Sequence, residues 1–272
     1  MPQTADYPGL APEEPETLLA PTIPHSPPVL RRSALDARDV AQARRVLCDL
    51  DGCLISEGRP FVDSADFIGE CGERLWIVSN NSDTTARRLS AKLADLGLHI
   101  PASRILLAGE VALHRIARLG LTRLRLHASP ALVGAACDLG LDTRHPAPQA
   151  ALLCRDPDFG IDDIGPLLSL AGEAPLWVAN EDLSHPDHSG QPVAETGALL
   201  AALRAIRPDL KWQSPGKPDP LMLRLALGDL DPAQAIFVGD NPATDGRAAS
   251  AAGLPFLHLK RPAAPTEKEA GQ

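Results

Sequence analysis

The feature that most restricts what this chain can fold into is the run Val46-Leu47-Cys48-Asp49-Leu50-Asp51-Gly52, two aspartates one residue apart at the end of an apolar stretch. A short continuous apolar run reads as a strand buried on both faces, as in a parallel sheet, and ligands of such sheets bind where the strands end. Two carboxylates facing one crevice repel each other unless a cation or a shared proton compensates them. A hard divalent ion such as Mg²⁺, held by carboxylates and by substrate phosphate, is a natural compensator. Gly52 allows a sharp turn after the second aspartate. Taken alone, the stretch fits an acidic turn after a strand equally well.

Three later stretches change that balance. Arg74 to Val78 reads as a second buried strand, ending in Ser79-Asn80-Asn81-Ser82-Asp83 before the helical pattern of Ala86, Leu89, Leu93 and Leu96. Free backbone N–H groups and a hydroxyl at a helix start suit a phosphate, although Ser82 or Asp83 also suit an ordinary helix cap. Pro215-Gly216-Lys217-Pro218 holds a lysine between prolines at the approach to an amphipathic helix. Pro218 stands where a Walker loop needs Ser or Thr, so Lys217 reads instead as a point charge aimed at phosphate. Ala235 to Val238 is a third buried strand, and its turn carries Asp240 and Asp245. In a parallel sheet these strand ends share one edge, so carboxylates, a hydroxyl and an ammonium can meet in one crevice. Such a mixture suits metal-assisted phosphoryl transfer with a carboxylate nucleophile.

Between the second and third strands, Leu-, Ala- and Arg-rich helical stretches alternate with short strands at Leu124 to His127, Ala150 to Cys154 and Pro175 to Ala179. That alternation predicts a second α/β unit with its own sheet. Its polar loop from Asn180 to Gly190 contains His185 and His188, and Pro186 between them argues against a helical metal pair. The loop reads as substrate-facing or as a solvated surface connection.

Composition excludes several alternatives. The 272 residues are 44% apolar and 22% charged, as in a globular protein of one large or two modest domains. A net charge of −9 argues against nucleic acid or an anionic membrane as the main partner. The five cysteines, at irregular spacings, fit a reducing cytoplasm better than a disulfide framework. Cys53 reads as a small buried hydrophobe or a reactive thiol beside the site. No apolar run reaches the ~20 residues of a membrane span. The Pro-rich start of the chain reads as an extended tail.

In order and spacing the motifs resemble those of the haloacid dehalogenase superfamily, and within it the class IIA phosphatases, over about residues 44–260. Asp49-Leu50-Asp51-Gly52 is similar to motif one, Ser79-Asn80-Asn81-Ser82 to motif two, Gly216-Lys217-Pro218 to motif three, and Gly239-Asp240 through Thr244-Asp245 to motif four. The resemblance implies a doubly wound parallel-sheet Rossmannoid α/β core with an inserted α/β cap of the C2 type. The corresponding boundaries are a tail at 1–40, a core at 41–104 and 213–263, a cap at 105–212 and a frayed end at 264–272. It implies a cytoplasmic Mg²⁺-dependent phosphatase acting on a small phosphorylated metabolite. Asp49 would be nucleophile and metal ligand; Asp51 would be acid and base, its main-chain carbonyl a metal ligand. Ser79, Asn80 and Asn81 would hold phosphate, with Lys217 neutralising charge. Asp240 and Asp245 would serve the metal. Asn180, Asp182 and His185 would face substrate from the cap. Caps of this type often form dimers, so a homodimer through the cap belongs to the same expectation. Ser79 in place of the branch's usual Thr keeps the hydroxyl, whereas Ala179 and Glu181 depart from its cap element.

Overall fold

The computed structural model describes residues 29–186 and 191–261. The chain enters through β1 (Val29–Arg32), makes a 3₁₀ turn capped by Asp36, and runs into β2 (Arg45–Cys48). A small hairpin of β3 (Ile55–Ser56) and β4 (Arg59–Pro60) precedes α1 (Ser64–Cys71), β5 (Leu75–Ser79), α2 (Ala86–Asp95), β6 (Ile105–Leu107) and α3 (Ala108–Arg118). Then come β7 (Leu124–His127), α4 (Pro130–Asp138), β8 (Ala150–Leu153), α5 (Ile161–Leu170) and β9 (Leu176–Val178). A second hairpin, β10 (Ser184–Pro186) with β11 (Pro192–Ala194), leads to α6 (Thr196–Ile206). The chain returns through α7 (Leu221–Leu227), β12 (Ala235–Gly239), one π-helical turn, α8 (Arg247–Ala252) and β13 (Phe256–Leu259).

Six strands form one parallel sheet in the order β1-β13-β12-β2-β5-β6. The chain winds outward from β2 through β5 to β6, and after the insertion resumes on the other side with β12. The carboxyl ends of β2 and β12 therefore flank a topological switch point, where α/β sheets place their ligands. One face packs Leu47, Val78, Phe237 and Phe256 against α3, α7 and α8; the other packs Val46, Cys48, Ile77 and Leu257 against α1 and α2. Strands covered on both faces must be apolar at every position, which is why these runs read as continuous. Each fully buried large apolar side chain contributes ~1.5–3 kcal/mol.

The insertion carries its own parallel sheet, β7-β8-β9. Leu152 faces a core continuous with that of the main sheet, and Leu153 faces α5 and α6.

Three expected boundaries move. Residues 29–40 are not tail: Val29–Arg32 pairs in register with Phe256–Leu259, and Ala37 and Val40 are buried. Pairing with β13 satisfies the backbone of a segment whose sequence gives little strand signal. Residues 1–28 and 262–272 lie outside the described residues. The insertion also begins later than residue 105, because Ile105–Leu107 pairs with Ile77–Ser79 as the last strand of the main sheet. At its far end Gln213 still bridges to Trp177 of the insertion's sheet. Finally, the helix expected from Thr244 begins as an α-helix at Arg247, since the π turn Pro242–Gly246 comes first.

Candidate active site

The carboxyl ends of β2, β5 and β12 supply the crevice, and Lys217 closes it. The ammonium of Lys217 is 2.6 Å from Asp49 Oδ1 and 2.8 Å from Asp245 Oδ1, and its side chain is only 3% exposed. Burial works against its charge, but the Asp245 and Asp49 carboxylates outweigh that and hold the ammonium protonated, well above the usual lysine range. Its backbone is fixed as firmly. Asn80 Oδ1 accepts from the Lys217 N–H at 2.7 Å, and Asn80 Nδ2 donates to the Lys217 carbonyl at 2.9 Å. The lysine between prolines is thus a charge aimed by a side chain 137 residues earlier.

Asp49 is 8% exposed, at the end of β2. Burial raises its carboxyl far above the ordinary range, Lys217 opposes this, and the Asp245 and Asp240 charges add to it. Asp240 is pushed up to about 6 by burial and then by Asp245. Asp51 is solvent-accessible at the mouth yet crowded by protein; that burial raises it, with Lys217 and His185 pulling the other way. One ammonium therefore faces an excess of carboxylates.

Two glycines make the packing feasible. A β-carbon on Gly52, at φ +76°, would lie 2.1 Å from Asp240 Oδ2; one on Gly239 would lie 2.5 Å from the Asp245 β-carbon.

The residues fit a hard divalent cation. Asp49, Cys53 and Asp240 each place one donor atom within 4.8 Å of the others. The Cys53 thiol is soft, and burial raises it further into its protonated form, so the two carboxylates are the hard donors. Asp245 Oδ1 is buried with the Lys217 ammonium 2.8 Å away. Asp245 Oδ2 accepts from the Asn241 N–H at 3.1 Å. Lys217 is shared between Asp49 and Asp245, and among the described residues no cation pairs with Asp240, so an added positive charge there would offset the carboxylate excess. The Asp51 carboxyl is not part of this cluster.

Several expected phosphate and substrate contacts are engaged elsewhere. Ser79, 2% exposed, does sit at the end of β5, its Oγ accepting from the Asn81 N–H at 3.2 Å. The Asn81 side chain instead folds onto its own turn: Oδ1 accepts from the Asp83 and Thr84 N–H groups, both at 3.2 Å. An Asx turn uses up the group assigned to phosphate. Asn180 is 1% exposed and donates to the Asn80 carbonyl at 2.7 Å and to Ser82 Oγ at 3.2 Å. It joins the insertion to the β5 turn. Asp182 does reach the crevice, where Asn80 Nδ2 donates to its Oδ2 at 2.9 Å. Burial raises the Asp182 carboxyl. His185 lies on β10, exposed, with Nδ1 2.7 Å from Glu195 Oε1. His188 lies outside the described residues.

The sequence reading missed the other half of that cluster. Arg155, just after β8, pairs with Asp83 at 2.9 Å and with Glu195 at 3.4 Å, and its N–H donates to Ser82 Oγ at 3.0 Å. Thr196 Oγ1 lies 2.9 Å from Ser82 Oγ. These pairings span 40–114 residues and join unremarkable residue types, so no local pattern marks them.

Comparison with known proteins follows the same geometry. Residues 46–142 match the model of a haloacid dehalogenase-like hydrolase family, and residues 214–268 match a second, HAD-hydrolase-like model. The D-glycerol 3-phosphate phosphatase of Mycobacterium tuberculosis is 28% identical over 218 residues, covering 78% of this chain and 61% of the relative. The chain thus spans about three fifths of that protein's length. A solved structure of the mycobacterial glycerol phosphate phosphatase with magnesium superposes with a TM-score of 0.73 at 26% identity, covering 80% of this chain and 68% of the other. A dihydroxyacetone phosphatase of Corynebacterium glutamicum is 27% identical, covering 76% of this chain and 78% of its own. The 4-nitrophenylphosphatase of Thermotoga maritima shares the fold, with a TM-score of 0.74 at 23% identity over 85% of this chain and 91% of its own.

Proposed function

Because the chain belongs to the haloacid dehalogenase superfamily, in its class IIA branch, we propose that it is a Mg²⁺-dependent phosphatase of a small, neutral polyol phosphate. The observation that carries this reading is the buried Lys217 ammonium seated between Asp49 and Asp245, with Asp51 at the mouth. Mg²⁺ held by Asp49 and Asp240 would neutralise phosphoryl charge, a role that fits the carboxylate excess.

In the first half-reaction an Asp49 carboxylate oxygen attacks phosphorus. The bond from phosphorus to the alcohol oxygen breaks, and the carboxylic acid of Asp51 gives its proton to the leaving alkoxide. A raised Asp51 suits an acid that must hold a proton near neutral pH. In the second half, Asp51 takes a proton from water, whose oxygen attacks phosphorus. The bond to Asp49 breaks, orthophosphate leaves, and Asp51 is again protonated. Lys217 and the Ser79 hydroxyl hold charge in place throughout.

Two observations favour a neutral leaving group. The Arg155 guanidinium is already matched by Asp83 and Glu195, and His185 Nδ1 is engaged with Glu195, so neither is free for a second anionic group on the substrate. Two relatives are named a D-glycerol 3-phosphate phosphatase and a dihydroxyacetone phosphatase. The test is hydrolysis of a phosphomonoester panel with Mg²⁺, with EDTA, and by Asp49→Asn. Mg²⁺-dependent turnover of glycerol phosphate or dihydroxyacetone phosphate ahead of phosphoglycolate supports the reading. Preference for phosphoglycolate removes the substrate class, and turnover that survives EDTA and Asp49→Asn removes the mechanism.

A further inference from the structure

A cavity of about 470 Å³ opens at the carboxyl ends of β1 and β13, lined by Arg31, Arg32, Ser33, His258 and Lys260. Its position follows from the register. Val29 and Arg31 lie opposite Phe256 and His258 on adjacent parallel strands, so these side chains share one face of the sheet. Phe256 on that face is covered, packing in the core with α8, but Val29 beside it is 58% exposed. The cover stops one strand short of the edge. Beyond it Arg31, Ser33 and Lys260 are exposed, and His258 is half-buried, stacked on Phe256.

The charges in the cavity are unbalanced. Arg32 is matched by Asp39, with Nε to Oδ2 at 2.6 Å and Nη2 to Oδ1 at 2.7 Å. Among the described residues no carboxylate pairs with Arg31 or Lys260. His258 Nε2 lies 3.1 Å from the main-chain oxygen of Asp240; a carbonyl only accepts, so Nε2 carries its hydrogen there. The wall of the cavity is therefore tied to the turn that carries Asp240. Two cations without a carboxylate partner among the described residues, a hydroxyl and a matched arginine gathered in one hollow oppose the sign of a chain with net charge −9. A local field of opposite sign on the rim of an acidic crevice raises the concentration of anions there.

We infer that this cavity is a second anion site, taking a phosphate-sized oxyanion between Arg31 and Lys260 with the Ser33 hydroxyl as a further donor. Its ligand chemistry is that of a phosphoryl group, whether orthophosphate or the phosphate of a small ester. The inference stands whether or not Asp49 performs the proposed chemistry.

The test is equilibrium dialysis of the full chain in EDTA, at low salt, against labelled orthophosphate and, separately, labelled glycerol 3-phosphate. Arg31→Ala with Lys260→Ala is compared with the charge-preserving pair Arg31→Lys with Lys260→Arg. Expected is a saturable site in the wild type whose affinity falls at least about tenfold in the alanine pair, survives in the conservative pair, and weakens with added salt. Lys217→Ala must leave it in place. Binding of both probes assigns the site to any phosphoryl group, and binding of orthophosphate alone assigns it to the free ion. An isotherm unchanged in the alanine pair, or lost equally in the conservative pair, overturns the inference. Absence of turnover with an intact isotherm would sink the phosphatase reading alone.

Discussion

Two ion-pair clusters serve the crevice, one at the strand ends of the main sheet and one that ties the turn after β5 to the insertion. In the first, Lys217 is buried with Asp49 and Asp245, and every backbone around it is fixed by strand ends or by Asn80. In the second, Arg155, Asp83, Glu195 and His185 meet at similar distances, but Arg155 and His185 remain 27% and 47% exposed. Distance alone does not tell the two apart; dielectric surroundings do. A buried pair that loses one partner leaves a stranded charge and costs about 3–5 kcal/mol, whereas an exposed pair is worth about 0–1 kcal/mol. The inner cluster is therefore built for chemistry, and the outer one for the shape and charge of whatever enters.

The sharpest way to break this contrast is at the nucleophile. Asp49→Asn should reduce turnover by at least about 10⁴-fold while circular dichroism stays unchanged, because the amide keeps the shape but cannot attack phosphorus. Residual turnover near the wild-type rate would remove Asp49 from its role. Lys217→Met comes next. Without the ammonium, Asp49, Asp240 and Asp245 face one another uncompensated, and denaturant unfolding in EDTA should show a loss of about 3–5 kcal/mol. Added Mg²⁺ should restore part of that stability, since a cation then supplies the missing charge. A variant as stable as wild type in EDTA would mean that the cluster is protonated and not ionic. Asn80→Ala removes the clamp on Lys217 and the donor to Asp182, and should cost about 1–3 kcal/mol along with a fall in kcat. Unchanged kcat would show that the prolines alone position the lysine.

What the sequence made legible follows the same division. The ends of β2, β5 and β12 could be read because strands buried on both faces are apolar at each position and stop abruptly at polar turns. Asp49, Ser79 and Asp240 stand at those stops. β1 was invisible because Val29–Arg32 follows prolines and carries two arginines; only its pairing with β13 makes it a strand. β6 was assigned to the insertion because Ile-Leu-Leu runs directly into α3 with no turn between them. Asn81 and Asn180 have the composition of phosphate or substrate ligands, yet their amides satisfy neighbouring backbone; which of two polar groups an amide meets is a tertiary fact. Arg155 and Glu195 carried no signal at all, since their partners are distant in sequence.

Acidity tests the inner cluster as a whole. Asp240 at about 6, together with Asp49, Asp51 and Asp182 raised above the ordinary range, binds protons more tightly when folded than when unfolded. Where the native state holds more protons, stability falls as pH rises. In EDTA the melting temperature should therefore climb by a few degrees as the pH drops from 7 toward 5, relieving carboxylate repulsion. With saturating Mg²⁺ the trend should flatten or reverse, because the metal requires the ionised carboxylates. A metal-free protein whose stability falls steadily over that window would mean that its paired carboxylates lie below the ordinary range, contrary to the crowded geometry.

The smallest effect belongs to the outer cluster, and it is the one that tests the division itself. His185→Ala frees one face of Glu195, which burial already raises against the pull of Arg155 and His185. Stability should change by less than about 1 kcal/mol, because His185 is 47% exposed and its pair is screened by solvent. What should move is KM, with kcat held within about twofold, since His185 touches neither Asp49 nor Lys217. The substrate panel gives the direction. With His185 gone Glu195 loses its partner on that side, so esters with a second anionic group should lose most and glycerol phosphate least. If kcat falls with KM unchanged, the outer cluster reaches the reacting atoms, and the two regions are one functional unit and not an inner engine with an outer gate.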